Sequence, residues 1–226
     1  MVSFLIYFLI IALIPIWASM RVQKAYKQYS QVPNSTGATG YEVARKILDA
    51  NGLYDVQIEE TRGVLSDHYD PRTKVVRLSS DNYHGRSLAA AAVAAHEVGH
   101  ALQDQEDYAF LRLRSSLVPL ASFGSNTSWI LLIVGFVLGL AELALLGIIF
   151  MALAVLFQVV TLPVEFNASS RAMDQVVSLG LIRNDEERGA RKVLGAAALT
   201  YVAAAAVALM ELLRFVLMFI GMANEE

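Results

Sequence analysis

Between Leu117 and Leu162 the chain has no lysine or arginine, and Glu142 is the only charged residue in that stretch. A helix crosses the bilayer core with roughly 20 apolar residues. The run is therefore too long for one span and fits two antiparallel spans that turn tightly near Gly139–Glu142. In lipid the backbone must satisfy its own polar groups, so such spans are helices. Two other stretches read the same way. Val2–Ser19 is apolar and is followed at once by Arg21, Lys24 and Lys27. A cleavable leader carries its positive charge before the apolar run, so this segment reads as a signal anchor. A last apolar run extends from about Leu194 to Met222. It contains Glu211 and Arg214, spaced to pair on a helix. Composition agrees: 56% of residues are hydrophobic and 17% charged, far from ordinary soluble usage.

Charge placement orients these spans. Every lysine and arginine except Arg214 falls in 21–114 or 171–192. A four-span arrangement with both termini outside puts those two stretches on one side, and the positive-inside rule makes that side the cytoplasm. The expected organisation is an anchor at 1–20, a cytoplasmic domain at 22–116, two transmembrane helices within 117–162, a cytoplasmic helical segment at 163–192, and a last transmembrane helix at 193–222. The fold class expected is a mainly α membrane protein, with about four transmembrane helices and a small α+β domain, multi-pass in the cell membrane. Pro119 and Gly124–Ser128 obscure where the second span begins, and the last run could be one helix or a span plus an interfacial turn.

The polar domain opens with a soft linker, Gln31–Thr39. Apolar Val43, Ile47 and Leu48 predict a helix over Tyr41–Ala50, with Gly52 in capping position. Alternation predicts a strand at Asp55–Glu60 and another at Lys74–Leu78, separated by the turn signal Asp70-Pro71-Arg72-Thr73. An Ala-rich helix is expected at Ser87–Gln103. The chain has no cysteine, which removes disulfides, thiolate zinc sites and cysteine nucleophiles together. No basic stripe with interleaved aromatics occurs, so nucleic acid is not an expected partner.

The Ala-rich helix contains His96-Glu97-Val98-Gly99-His100. Histidines at i and i+4 project from one helix face at metal-ligand separation. Zinc lowers the pKa of a ligated water toward ~7, and Glu97 is placed to take that water's proton. The neighbours Ala94, Ala95, Val98, Gly99, Ala101 and Leu102 are small or apolar, as a buried metal-binding helix requires. A catalytic zinc site uses three protein ligands. The chain has only His68, His84, His96 and His100, so no histidine follows the motif. The third ligand is then a carboxylate, unless His68 or His84 reaches back from upstream. Glu165, at the end of the third span and beside Pro163, is the first choice; Asp174 is the second.

The segments Asp67-His68-Tyr69-Asp70-Pro71, Val75-Val76-Arg77-Leu78-Ser79, Ala94–Ala101 and Leu162-Pro163-Val164-Glu165-Phe166-Asn167-Ala168-Ser169 resemble those of the YugP-type neutral zinc metallopeptidases of bacterial membranes. The resemblance covers nearly the whole chain. It implies a gluzincin-like zinc domain related in layout to the HtpX-type membrane proteases, with Zn2+ as cofactor. In that wider group the downstream motif is Glu-x-x-Ala-Asp. Glu165 matches its zinc ligand and Ala168 its alanine, but Ser169 stands where the aspartate would be. Asn167, Ser169 or Asp174 is then left to orient a histidine.

Two further roles have candidates. Val75–Ser79 could be an edge strand that receives an extended peptide. Arg171, His68 or Tyr69 could stabilise the oxyanion formed when water attacks a carbonyl. The expected activity is zinc-dependent hydrolysis of peptide bonds in membrane or membrane-proximal polypeptides, with the site on the cytoplasmic side. Expected partners are that polypeptide, the lipid bilayer, and a second copy or a regulatory membrane protein. The rival readings are a zinc-binding membrane scaffold without turnover and a transporter lined by Glu142, Glu211 and Arg214.

Overall fold

The computed structural model describes residues 2–223. In chain order the elements are α1 (Val2–Tyr29), α2 (Gly40–Ala50), β1 (Gln57–Thr61), β2 (His68–Asp70), β3 (Val75–Ser79), α3 (Ser80–Tyr83), α4 (Leu88–Gln105), α5 (Ala109–Leu138), α6 (Ala141–Ser178) and α7 (Glu187–Ala223). Among the described residues, four helices are long and apolar enough to cross a membrane: α1, α5, α6 and α7. The protein is thus a mainly α membrane protein with a small α+β part. The chain divides into two compact units.

One unit comprises Met1–Pro15, Ala109–Pro163 and Tyr201–Glu226. Helix α5 begins at Ala109 and runs through Pro119, so neither that proline nor the Gly124–Ser128 stretch interrupts it. The turn into α6 falls at 139–140, where Gly139 takes φ +65° and Leu140 N–H donates to the Gly135 carbonyl at 2.8 Å. Gly135 permits the hairpin to close, since a Cβ there would stand 2.5 Å from the Ala144 backbone nitrogen. Leu132, Ile148, Met151 and Phe215 form the buried centre of this unit. The last apolar run is one continuous helix, α7. Arg214 and Glu211 pair at 2.6 Å, and the guanidinium lies 4.2 Å from the Phe215 ring centroid and 5.5 Å from those of Tyr7 and Phe8.

The other unit comprises Ile16–Tyr108 and Val164–Thr200. Helix α2 starts on a capping box: the Thr39 side chain accepts from Glu42 N–H and the Glu42 carboxylate accepts from Thr39 N–H. Its apolar face, Val43, Ala44, Ile47 and Leu48, is fully buried. The sheet order is β1-β3-β2. β1 runs parallel to β3, with Gln57 opposite Val75, and β2 runs antiparallel to it, with His68 opposite Arg77. This overturns the edge-strand expectation for Val75–Ser79. β1 pairs along all five residues of β3, and on the other side β2 pairs with Val75–Arg77 while Ser79 N–H donates to Asp67 Oδ1, so β3 is the central strand.

Helix α4 is almost entirely buried. Ser87 caps its start by accepting from Ala90 N–H at 3.1 Å. The run of alanines that follows lets neighbouring elements approach closely. The main core of this unit gathers around it, from Ile47, Leu48, Val76 and Leu78 to Met173, Val176 and Leu181.

Candidate metal centre

Residues of α4 and α6 make the site. His96 and His100 stand one turn apart with ring centroids 4.8 Å from one another. The Glu165 carboxylate, 1% exposed, comes to them from α6: its Oε2 lies 3.2 Å from His96 Nε2 and 3.7 Å from His100 Nε2. The three side chains can each offer a donor atom within 4.8 Å of the others. Gly99, between the histidines, makes this approach possible. A Cβ on it would stand 2.5 Å from the Ala168 carbonyl oxygen, so α4 and α6 are in backbone contact where the ligands meet.

A chain of hydrogen bonds sets the tautomer of His100. Arg171 Nε–H can only donate, so the atom it meets at 2.7 Å is the carboxamide oxygen of Asn167. That oxygen also accepts from Gln103 Nε2 at 2.9 Å, and the same nitrogen donates to the Val164 carbonyl at 2.8 Å. The fully buried Gln103 amide is thereby fixed with Oε1 toward His100 Nδ1, 3.0 Å away. An amide oxygen only accepts. The neutral imidazole therefore carries its proton on Nδ1 and turns the Nε2 lone pair toward Glu165. On the other histidine, Ser169 Oγ lies 3.2 Å from His96 Nδ1.

At His100 this sets a lone pair and a carboxylate oxygen face to face, an arrangement that a cation between them stabilises. Two imidazoles and a carboxylate are a donor set that zinc accepts, and tetrahedral zinc with bonds of ~2.1 Å holds its ligand atoms about 3.4 Å apart. The observed 3.2 and 3.7 Å fit that requirement.

Glu97 lies on the same helix between the two histidines and is buried. Burial foremost, with the Asp67 and Glu165 charges, pushes its carboxyl up to about 7 against the opposing effect of His96 and a hydrogen bond from the Tyr69 backbone N–H. Strand β2 is tied to α4 a second time, by Tyr69 Oη donating to Asp104 Oδ2 at 2.8 Å.

His68 does not join this cluster. Strand alternation sends it to the sheet face opposite Tyr69, where its exposed ring meets the Ser66 carbonyl at 2.9 Å. Arg171 is half-buried and engaged: Nη1 and Nη2 donate to both Glu106 carboxylate oxygens at 2.7 and 2.8 Å, and Nε holds Asn167. The guanidinium anchors the chain that orients His100. His84 is exposed, its Nε2 3.3 Å from Glu60 Oε2, and Asp174 is exposed on α6. The residue that sequence reasoning passed over is Gln103. Its place three residues after His100, on the same helix face, was the available signal.

A family model described as "Putative neutral zinc metallopeptidase" matches residues 4–220. The chain is 56% identical over 209 residues to the "Putative membrane protease YugP" of Bacillus subtilis (strain 168), covering 92% of this chain and 93% of that protein. No solved structure matches it. With a match across nearly its whole length, this chain belongs to the neutral zinc metallopeptidase family so described.

Proposed function

We propose that the protein is a membrane-embedded zinc endopeptidase of gluzincin type. His96, His100 and Glu165 would hold the metal, and its substrates are membrane or membrane-proximal polypeptides. The observation that carries this reading is the meeting of two α4 imidazoles and a buried α6 carboxylate beside Glu97. Zinc held there supplies Lewis acidity and a lowered water pKa, toward ~7. The protein's own contribution is orientation and proton transfer. Gln103 and Ser169 hold the two imidazoles from behind. Glu97 takes the proton of the attacking water and returns it to the leaving amine, a role suited to a carboxyl whose pKa is pushed up to about 7. Proximity to lipid follows from the chain itself. Glu165 comes three residues after Leu162, the last residue of the apolar run, which is about 4.5 Å along a helix axis. The distribution of lysine and arginine supports a cytoplasmic site.

Cleavage of membrane-anchored reporter polypeptides by the purified protein, with zinc content measured in parallel, tests the proposal. Glu97→Gln should keep its zinc and lose at least ~100-fold in cleavage, whereas Glu165→Ala should lose the zinc. Equal cleavage by wild type and Glu97→Gln would exclude the mechanism. Zinc bound by both with no cleavage by either would favour a zinc-binding scaffold.

A further inference from the structure

Away from the metal centre, a cavity of about 650 Å³ opens between α1 and α7. One helix face on each side lines it. Arg21, Lys24, Ala25 and Gln28 recur on α1 at helical spacing, and Lys192, Gly195 and Leu199 do so on α7. The two helices are pinched together at one end, where a Cβ on Gly189 would stand 2.8 Å from the Tyr29 ring. Two turns further along α7 they have parted, and a Cβ on Gly195 would meet nothing within 4 Å. The result is a crevice with a small-residue, apolar floor and a rim of three cations.

Among the described residues, no carboxylate lines it. Helix α1 contains no acidic residue at all. Glu187, in the first turn of α7, lies 3.5 Å from Arg191. Among the described residues, the side chains of Lys24 and Lys192 make no ion pair or hydrogen bond. The Arg21 guanidinium sits 5.3 Å over the Trp17 ring, an indole one turn up a membrane-crossing helix, where such rings mark the headgroup level. Three like charges around an uncompensated cleft attract an anion.

We propose that this crevice binds an anionic phospholipid. The phosphate rests among Arg21, Lys24 and Lys192 over the small-residue floor of Ala25 and Gly195, and an acyl chain leaves past Leu199 toward the apolar run of α7. Basic pockets between membrane helices take such headgroups. Inorganic phosphate could use the same cations but would leave the apolar floor unused. The site is independent of the metal centre and of the proposed peptidase activity.

The test uses the full-length protein in nanodiscs of mixed phosphatidylglycerol and phosphatidylcholine, with retained lipid read by native mass spectrometry. Wild type should retain phosphatidylglycerol in preference to phosphatidylcholine. Neutralising Arg21, Lys24 and Lys192 to Gln should weaken that retention roughly a hundredfold, at about fivefold per cation. Gly195→Leu keeps every charge but fills the floor, and should abolish retention as well. Neutralising the three exposed cations Arg62, Arg72 and Lys74 instead should leave retention unchanged. Equal retention of phosphatidylcholine, unchanged retention in either crevice variant, or displacement of the lipid by millimolar inorganic phosphate would each overturn the proposal.

Discussion

Glu165 and Gln103 are both buried on the α4–α6 seam, yet they act in different ways. Glu165 sets a carboxylate oxygen against both imidazoles, whereas Gln103 only decides which way His100 faces. Gln103→Leu should therefore leave the fold and the three donors in place while weakening zinc about 10- to 100-fold, as loss of an orienting partner does elsewhere. A chelator competition titration reads this directly, and unchanged affinity would show that His100 needs no such partner. His96, Glu97 and His100 are legible in sequence because a helical i, i+4 pair with an embedded glutamate has a fixed geometric meaning. Glu165 was named there by counting the histidines and excluding cysteine, and its carboxylate does lie against both imidazoles. Gln103 was not named. An amide carries no chemical signature of its own, and its part depends on Val164 and Asn167, which reach it only through tertiary packing. Arg171 and His68, read as oxyanion stabilisers, illustrate the same limit. Their residue types suited the chemistry, but the first is occupied by Glu106 and Asn167 and the second lies on the far face of a strand.

Between elements, the decisive contact is that of α4 with α6 at Gly99. A glycine-to-alanine change inside a helix ordinarily stabilises by ~1 kcal/mol. Here the added Cβ would stand 2.5 Å from the Ala168 carbonyl oxygen, and overpacking costs about 1–3 kcal/mol. Packing wins, so Gly99→Ala should lower the melting temperature and weaken zinc binding together; a stabilised variant would show that the seam can open without cost. The same seam carries a mild acid sensitivity. The hydrogen bond from Arg171 holds the Glu106 carboxyl below its ordinary range. A carboxyl with a depressed folded-state pKa adds stability above the ordinary value and loses it as pH falls through the lowered one. With its side chain 58% exposed, the pair contributes no more than ~1 kcal/mol. Thermal melts of wild type and Glu106→Gln should differ slightly at neutral pH and converge in acid. The bounds of α2 and α4 were readable in advance to within two residues, since periodicity and caps are local, whereas α1, α5, α6 and α7 each run well past the apolar stretches that announced them. The order of the sheet was not. The β1–β3 pairing spans the β2 hairpin, and nothing in Val75–Ser79 itself says that a parallel partner will take its outer side.

Across the whole molecule, the apolar runs dominate what can be foreseen. The four long helices follow from stretches that water would not tolerate. The ionic pair in the last of them has an energetic meaning. Removing one partner of a desolvated pair costs far more than removing both. Glu211→Leu and Arg214→Met should each reduce thermal stability in detergent, while the double variant should be less damaged than the sum of the two. Additive losses would show that the 2.6 Å contact contributes nothing. A last consequence follows from the sequence distance between the proposed zinc ligands. His100 and Glu165 are separated by all of α5 and the apolar length of α6. A ribosome that has finished the α4 helix has made two of the three donors, and the third emerges only after two more segments have been handed to the translocon. Synthesis order would thus act as a safety catch on the proposed site, which cannot assemble until α5 and most of the apolar part of α6 have been made.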